Sequence, residues 1–322
     1  MCTAIKYKNN YFGRNLDLEF ELPGTKIVLT PRNYEFTLSS NKKAVNTKYA
    51  IIGMGMVINK YPLYYDGMNE KGLFMSGLYF LGYAKYFDND ISKNNISPFE
   101  FVPYILGFCA SVKDAREKLN NINLVNISFS KELPLTPMHW MIADDKECIV
   151  VESTESGLKI YDNPYKTLTN SPKFSYHLEN INNYVNVSPN TRDKLFNNNI
   201  KIVSNGAGTA GLPGGLSSQD RFVRAVYTNL TSMSNDNEDD DVAQYMHILG
   251  SVAQTRGTVV AHESRCEITI YSNCYSSKTM SMYYRTYQNT RLNAISLKNH
   301  KNLDSKELTI YDLELKLDVK WI

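Results

Sequence analysis

Short apolar runs set off by turn residues recur along almost the whole chain, and this rhythm constrains the fold more than any other feature. TAIKY, YFGRNL, KIVLTP, YAIIGMGMVI, LFMSGLYF, MHWMIAD, CIVVES, LKIYD, EITIYSN, TMSMYYRTY, RLNAISL and LTIYDLEL give a dozen strand candidates. Several end at turns such as DNP or STESG. The 23 tyrosines against 2 tryptophans suit strands with one dry and one wet side. Helical patterns interrupt at three places. Ser97-Pro98-Phe99-Glu100 combines an N-cap, a proline at the first helical position and a glutamate three residues on; Ser111 opens DAREKLNN; VAQYMHILGSVAQT follows the acidic run SNDNEDDD, which reads as a solvated loop whose carboxylates suit a helix N-terminus. The pattern predicts one mixed α+β domain over residues 1–322, two mainly antiparallel sheets sandwiched by helices. No repeat or Ser/Gly linker marks a boundary, and the asparagine-rich stretch 183–215 predicts a long surface excursion.

Several function classes are excluded at this level. A net charge of +2 without basic blocks leaves no electrostatic footprint for nucleic acid. The longest apolar candidate, FVPYILGFCASV, is too short for a membrane span, which needs about 18 residues, and it contains proline. Lys6, Lys8, Asn9 and Asn10 break any secretory h-region, so a cytosolic protein is expected. Cys2, Cys109, Cys148, Cys266 and Cys274 form no C-x-x-C pair; neither a disulfide framework nor a zinc site is indicated, and Cys109, Cys148 and Cys266 read as small buried hydrophobes. The histidines at 139, 177, 247, 262 and 300 show no metal-ligand spacing, and His247 in YMHILG reads as a core residue. GAGTAG, from Gly206 to Gly211, spells the dinucleotide fingerprint, but LPGG follows and forbids the helix it needs.

No G-x-S-x-G elbow occurs, which leaves Cys2 as the remaining nucleophile candidate. Loss of Met1 would put a thiol and a free α-amine on one residue. Such an amine has a reference pKa of about 7.7–8.0 and can serve as a base beside its own thiol without a histidine. If TAIKYKNNYFGRNLD folds as a hairpin turning at KNN, Arg14 can favour thiolate and Asp17 can fix the amine. A plain surface pair at i, i+3 is the bland alternative for these two.

MCTAI, FGRNLDLEF, TPRNYEF, YDGMNEKGL, LPLTPMHW, CIVVEST, LTNSP and GLPGGLSSQDRFVR, in this order, resemble the choloylglycine hydrolase family over essentially the whole chain. That family holds conjugated bile acid hydrolases and penicillin V acylases, N-terminal nucleophile hydrolases with a four-layer αββα sandwich. The resemblance implies Cys2 as nucleophile flanked by Arg14 and Asp17, Asn170 of LTNSP in the oxyanion hole, and Arg221 of SQDRF as a second active-site arginine. It implies an oxyanion donor from the backbone of Tyr79, a homotetramer assembled partly through the loop at 183–215, no cofactor, no metal and no membrane or nucleic-acid partner. Leu16, Leu133 and Leu135 lie in segments that line the steroid side of the pocket in such relatives; ordinary core leucines are the other reading.

The chain departs from the bile salt pattern at Tyr79, where bile salt hydrolases carry asparagine in GLNF. The tyrosine resembles penicillin V acylases and offers an aromatic surface to a phenoxyacetyl group, whereas TAIKY, FGRNLDLEF, SPFEFVPYILG and LVNISFSKELPL stand closer to bile salt hydrolases. The expectation is hydrolysis of glycine- or taurine-conjugated bile acids, with penicillin V the alternative substrate. A non-catalytic binding protein on the same scaffold is the remote third.

Overall fold

The chain opens on a hairpin. β1 (Cys2–Tyr7) and β2 (Tyr11–Leu18) pair antiparallel, with Cys2 opposite Leu16 and Tyr7 opposite Tyr11, and Lys8 takes φ +49° in the turn expected at KNN. Side chains alternate as a pleat requires: Cys2, Ala4, Phe12 and Leu16 face one core, Ile5, Tyr7 and Tyr11 another. The computed structural model describes all residues except 21, 192–193, 196–199, 202–203, 262–263 and 299, with backbone alone for 194–195 and 200–201.

This hairpin belongs to a six-stranded sheet ordered Thr167–Leu168, β1, β2, Ile268–Ser276, Ser281–Thr286 and Asn293–Ser296. An eight-stranded sheet runs Gly157–Asp162, Cys148–Thr154, Met138–Ala143, Phe74–Tyr79, Tyr61–Asn69, Ile51–Ile58, Lys26–Thr30 and Thr309–Asp312. Neighbours within both sheets are antiparallel. The dozen strand candidates of the sequence all lie here. Phe12, Leu16, Tyr271 and Met282 from one sheet meet Leu29, Met54, Phe74 and Met141 from the other.

Helices cover the outer faces. α1 (Pro98–Phe108) and α2 (Val112–Leu119) bury Phe101, Ile105 and Ala115 against the eight-stranded sheet. Their starts follow the sequence: the Glu100 carboxylate accepts from Ser97 N–H at 2.8 Å, and Ser111 Oγ accepts from Asp114 N–H at 3.2 Å. α3 (Phe174–Asn180) follows the strand Thr167–Leu168. On the other side, α4 (Ser218–Thr231) and α5 (Glu238–Gly250) bring Ala225, Tyr245 and Leu249 onto Ile5 and Tyr11. The architecture is the expected αββα sandwich.

Three local expectations change. α5 starts earlier, because Asn237 caps it and Glu238, Asp239, Asp240 and Asp241 form its first turn rather than a loop before it. It ends at Gly250, and its inward stripe is Tyr245, Met246, Ile248 and Leu249, so His247 points outward and is exposed rather than core. Cys109 is buried and its thiol is pushed up to about 12 by burial, but Cys148 and Cys266 are only partly buried. At GAGTAG, Gly206 takes φ +78° and Ala207–Thr209 forms a 3-10 turn, with no helix before Ser218. His262 and most of 192–203 within the predicted excursion lie outside the described residues.

Candidate active site

β1 presents Cys2 at its first position, 3% exposed. Pairing with β2 sets Arg14 opposite Ala4 and Leu16 opposite Cys2, so Arg14 shares the face of the Cys2 side chain, while Asp17, one residue past Leu16, lies on the other face beside the start of the chain. The edge strand Thr167–Leu168 pairs with Ala4 and Ile5 and carries Thr169 and Asn170 back toward the same point. Leu16 itself packs in the inter-sheet core.

Arg14 is buried where the eight-stranded sheet opens. Strands Tyr61–Asn69 and Phe74–Tyr79 pair only from Met68 opposite Phe74 to Asp66 opposite Ser76. Beyond that point Arg14 Nη1 donates to Gly77 O at 2.5 Å and to Tyr65 O at 3.5 Å, and Nε lies 4.0 Å from Asp66 Oδ2. Asp66 accepts in turn from Tyr271 Oη and Tyr275 Oη, each at 2.5 Å, and from Asn273 Nδ2 at 2.6 Å. Burial works against the Arg14 charge, but Cys2, Tyr271, Asp66 and Asp17 outweigh it and hold the guanidinium above its ordinary pKa. Its Nη2 has no partner in the protein.

Asp17 is also enclosed. Its Oδ1 accepts from Thr269 Oγ1 at 2.6 Å while Oδ2 has no protein partner. Burial raises its pKa, against the pull of Arg221, the N-terminal ammonium and Thr269. A buried donor on Arg14 and a buried acceptor on Asp17 thus flank Cys2, both with unspent hydrogen-bonding capacity.

Asn170 meets Cys2 directly. Its Oδ1 accepts from Cys2 N–H at 2.7 Å and from Arg221 Nη2 at 2.8 Å, and these two donors fix the amide orientation. Nδ2 donates to Tyr79 O at 2.8 Å. In a strand the N–H and C=O of one residue point the same way, and Phe80 N–H already donates to Pro137 O at 2.8 Å on the other edge. The Tyr79 N–H therefore faces the Asn170 side. Its phenol is 40% exposed. Arg221, on the first turn of α4, donates from Nη1 to Cys2 O and Thr3 Oγ1, both at 2.6 Å, and from Nε to Leu216 O at 3.1 Å. Complete burial lowers its pKa, and Asp17 and Cys2 oppose that shift.

A supporting layer was not legible in the sequence. Ser218, the first residue of α4, accepts from Asn170 N–H at 2.9 Å through Oγ, and its carbonyl accepts from Thr169 Oγ1 at 3.0 Å. His139 Nε2 donates to Thr169 O at 2.9 Å and its Nδ1 lies 3.2 Å from Glu152 Oε1. His177 Nε2 donates to Asn170 O at 3.1 Å; burial lowers its pKa to about 4, so the ring is neutral with the proton on Nε2. Leu133 and Leu135 are half-buried in an irregular segment before Met138–Ala143. Among the described residues no cluster of three His, Cys, Asp or Glu could hold a metal ion, and no helix is long and apolar enough to cross a membrane.

The family model for linear amide C-N hydrolases, choloylglycine hydrolase family, matches residues 2–311. The chain belongs to this family. It is 47% identical over 317 residues to a bile salt hydrolase/transferase of Lactiplantibacillus plantarum, covering 97% of each chain. It is 37% identical to one of Clostridium perfringens, over the full length of both. The crystal structure of the C2A mutant of the conjugated bile acid hydrolase from Clostridium perfringens superposes with a TM-score of 0.93 at 36% identity, covering 100% of both chains. A penicillin V acylase from Agrobacterium tumefaciens shares the fold, with a TM-score of 0.78 at 20% identity over 96% of this chain and 90% of that one. As a choloylglycine hydrolase family member, this chain cleaves carbon-nitrogen bonds of linear amides.

Proposed function

We propose that this chain is a bile salt hydrolase whose nucleophile is Cys2, with its α-amine released by loss of Met1. The observation that carries this reading is the pair of unpartnered buried polar atoms, Arg14 Nη2 and Asp17 Oδ2, beside Cys2. Arg14 favours thiolate over thiol. The sulfur attacks the amide carbonyl, and the developing oxyanion is met by the second Nδ2 hydrogen of Asn170 and the Tyr79 N–H. The amine of glycine or taurine leaves with a proton from the Cys2 α-ammonium, and the neutral α-amine then takes a proton from water as it attacks the thioester. Arg221 holds the Cys2 carbonyl and Asn170 in place. Leu133 and Leu135, both half-buried, together with Leu16 are the candidates for the apolar side that meets a steroid.

Both curated relatives named above carry transferase beside hydrolase in their names. A thioester that meets an amine in place of water yields a new amide, so this site is suited to both outcomes. Tyr79 keeps penicillin V as a second substrate, because its exposed phenol can stack on a phenoxyacetyl ring. We further propose a cytoplasmic homotetramer, assembled in part through the segment 183–215. The test pairs intact mass of the N-terminus with rates on glycocholate, taurocholate and penicillin V. Mature protein should begin at Cys2, conjugated bile acids should turn over fastest, and Cys2→Ala and Cys2→Ser should abolish turnover. Activity in Cys2→Ala ends the nucleophile assignment; penicillin V faster by orders of magnitude ends the substrate assignment.

A further inference from the structure

The N-terminal ammonium of the structure belongs to Met1. It donates to Asp17 O at 2.7 Å and to Glu267 Oε1 at 2.8 Å. Glu267 precedes strand Ile268–Ser276, in which Thr269 pairs opposite Asp17 and binds its Oδ1 at 2.6 Å. The Glu267 side chain is 13% exposed and its Oε2 has no partner in the protein. Two carboxylates on neighbouring segments therefore converge on the start of the chain, each with one oxygen unused, and Glu267 is close enough to act on the charge of Asp17.

We infer that Glu267 is a positioning residue for the catalytic amine: when Met1 is removed, its carboxylate passes from the Met1 ammonium to the ammonium of Cys2. This rests on the nucleophile reading above. The two nitrogens are separated by one residue of backbone, roughly 3–4 Å, and a carboxylate acts on an ammonium over about 4–6 Å. The new ammonium keeps Asn170 Oδ1, now 2.7 Å from Cys2 N, and gains the volume that Met1 occupied. The charged and titratable groups facing it are the Cys2 thiol, Asp17 and Arg14 on β2, Arg221 on α4 and Glu267; Arg265, two residues before Glu267, lies 3.8 Å from Glu19. The two guanidiniums press the amine to lose its proton. Glu267 and Asp17 hold it on, which readies the amine to protonate the leaving group.

The experiment measures kcat/KM against pH on taurocholate, whose sulfonate does not titrate over the range, for wild type, Glu267→Gln and Glu267→Asp, with intact N-terminal masses of the same preparations. The expected result is an alkaline limb displaced to lower pH by about one unit in Glu267→Gln, because the ammonium that must be protonated to act sets that limb, and returned toward wild type in Glu267→Asp. Superimposable limbs overturn the inference. So does a loss of rate at every pH with the limb in place, which is what a purely structural carboxylate gives. Retention of Met1 in Glu267→Gln alone also overturns it, since the carboxylate would then serve Met1 removal. A wild-type protein that hydrolyses with Met1 attached sinks the parent reading by a separate measurement, and this inference falls with it.

Discussion

Replacing Asn170 by alanine separates two jobs that the proposed mechanism gives to one side chain. Its Nδ2 donates to Tyr79 O, and its Oδ1 accepts from Cys2 N and Arg221 Nη2. Loss of one preorganised oxyanion donor costs about 10²–10³ in rate, or about 2.7–4 kcal/mol. That donor acts on charge that exists only in the transition state, so kcat falls while KM changes little. Loss of the acceptor strands two buried donors. Arg221 retains Cys2 O, Thr3 Oγ1 and Leu216 O, so the stability loss stays near one buried unsatisfied group, about 2 kcal/mol. Steady-state kinetics on taurocholate and urea denaturation read the two effects independently. A variant whose kcat stays within about threefold of wild type refutes the oxyanion role, whatever happens to stability.

Two further outcomes follow from the buried polar groups. His177 has a folded pKa of about 4 against an ordinary 6.5, so the unfolded chain binds the extra proton between those values. The stability it contributes is fully present above pH 6.5 and is lost as pH falls through 4, amounting to about 3 kcal/mol at most. The difference in unfolding free energy between wild type and His177→Gln should narrow or invert across that window, and parallel curves refute the assignment. Asp66→Asn replaces an acceptor of three side-chain donors beside Arg14 with an amide. It should destabilise by roughly 3–5 kcal/mol, read by chemical denaturation, and a change within about 1 kcal/mol is incompatible with this network holding the sheets together.

Strand periodicity made both sheets legible, because alternation along runs such as TAIKY or EITIYSN is the direct imprint of a half-buried pleat. It missed Tyr61–Asn69, which sits inside the eight-stranded sheet. Pro62 near its start and Asp66-Gly67 toward its end look like breakers, yet Pro62 lies where the strand begins and Asp66 is satisfied by partners over 200 residues away. α4 was missed for a similar reason. SQDRFVR opens with polar residues, and Arg221 is buried on its first turn rather than solvated. Cys2, Arg14 and Asp17 were readable as a group because they lie within one hairpin, which the structure forms as expected. Ser218, His139, His177 and Glu267 act through contacts with distant segments, and no local pattern announces them.

The site is therefore assembled by register more than by sequence proximity. Cys2 opposite Leu16, Asp17 opposite Thr269 and Ala4 opposite Leu168 bring its parts together across three strand pairings, and a one-residue slip in any of them turns the side chains to the other face. Two features resist such a slip. Gly13 lets β2 approach strand Ile268–Ser276 so closely that an added Cβ would stand 2.1 Å from Asn273 O, which leaves space only for glycine. One step along, Arg14 N–H donates to Asn273 Oδ1 at 2.9 Å while Asn273 Nδ2 donates to Asp66. That amide joins the register of the hairpin that carries Cys2 to the buried carboxylate of the facing sheet. The same contacts that hold the two sheets in alignment thus set where the Arg14 guanidinium stands relative to the sulfur.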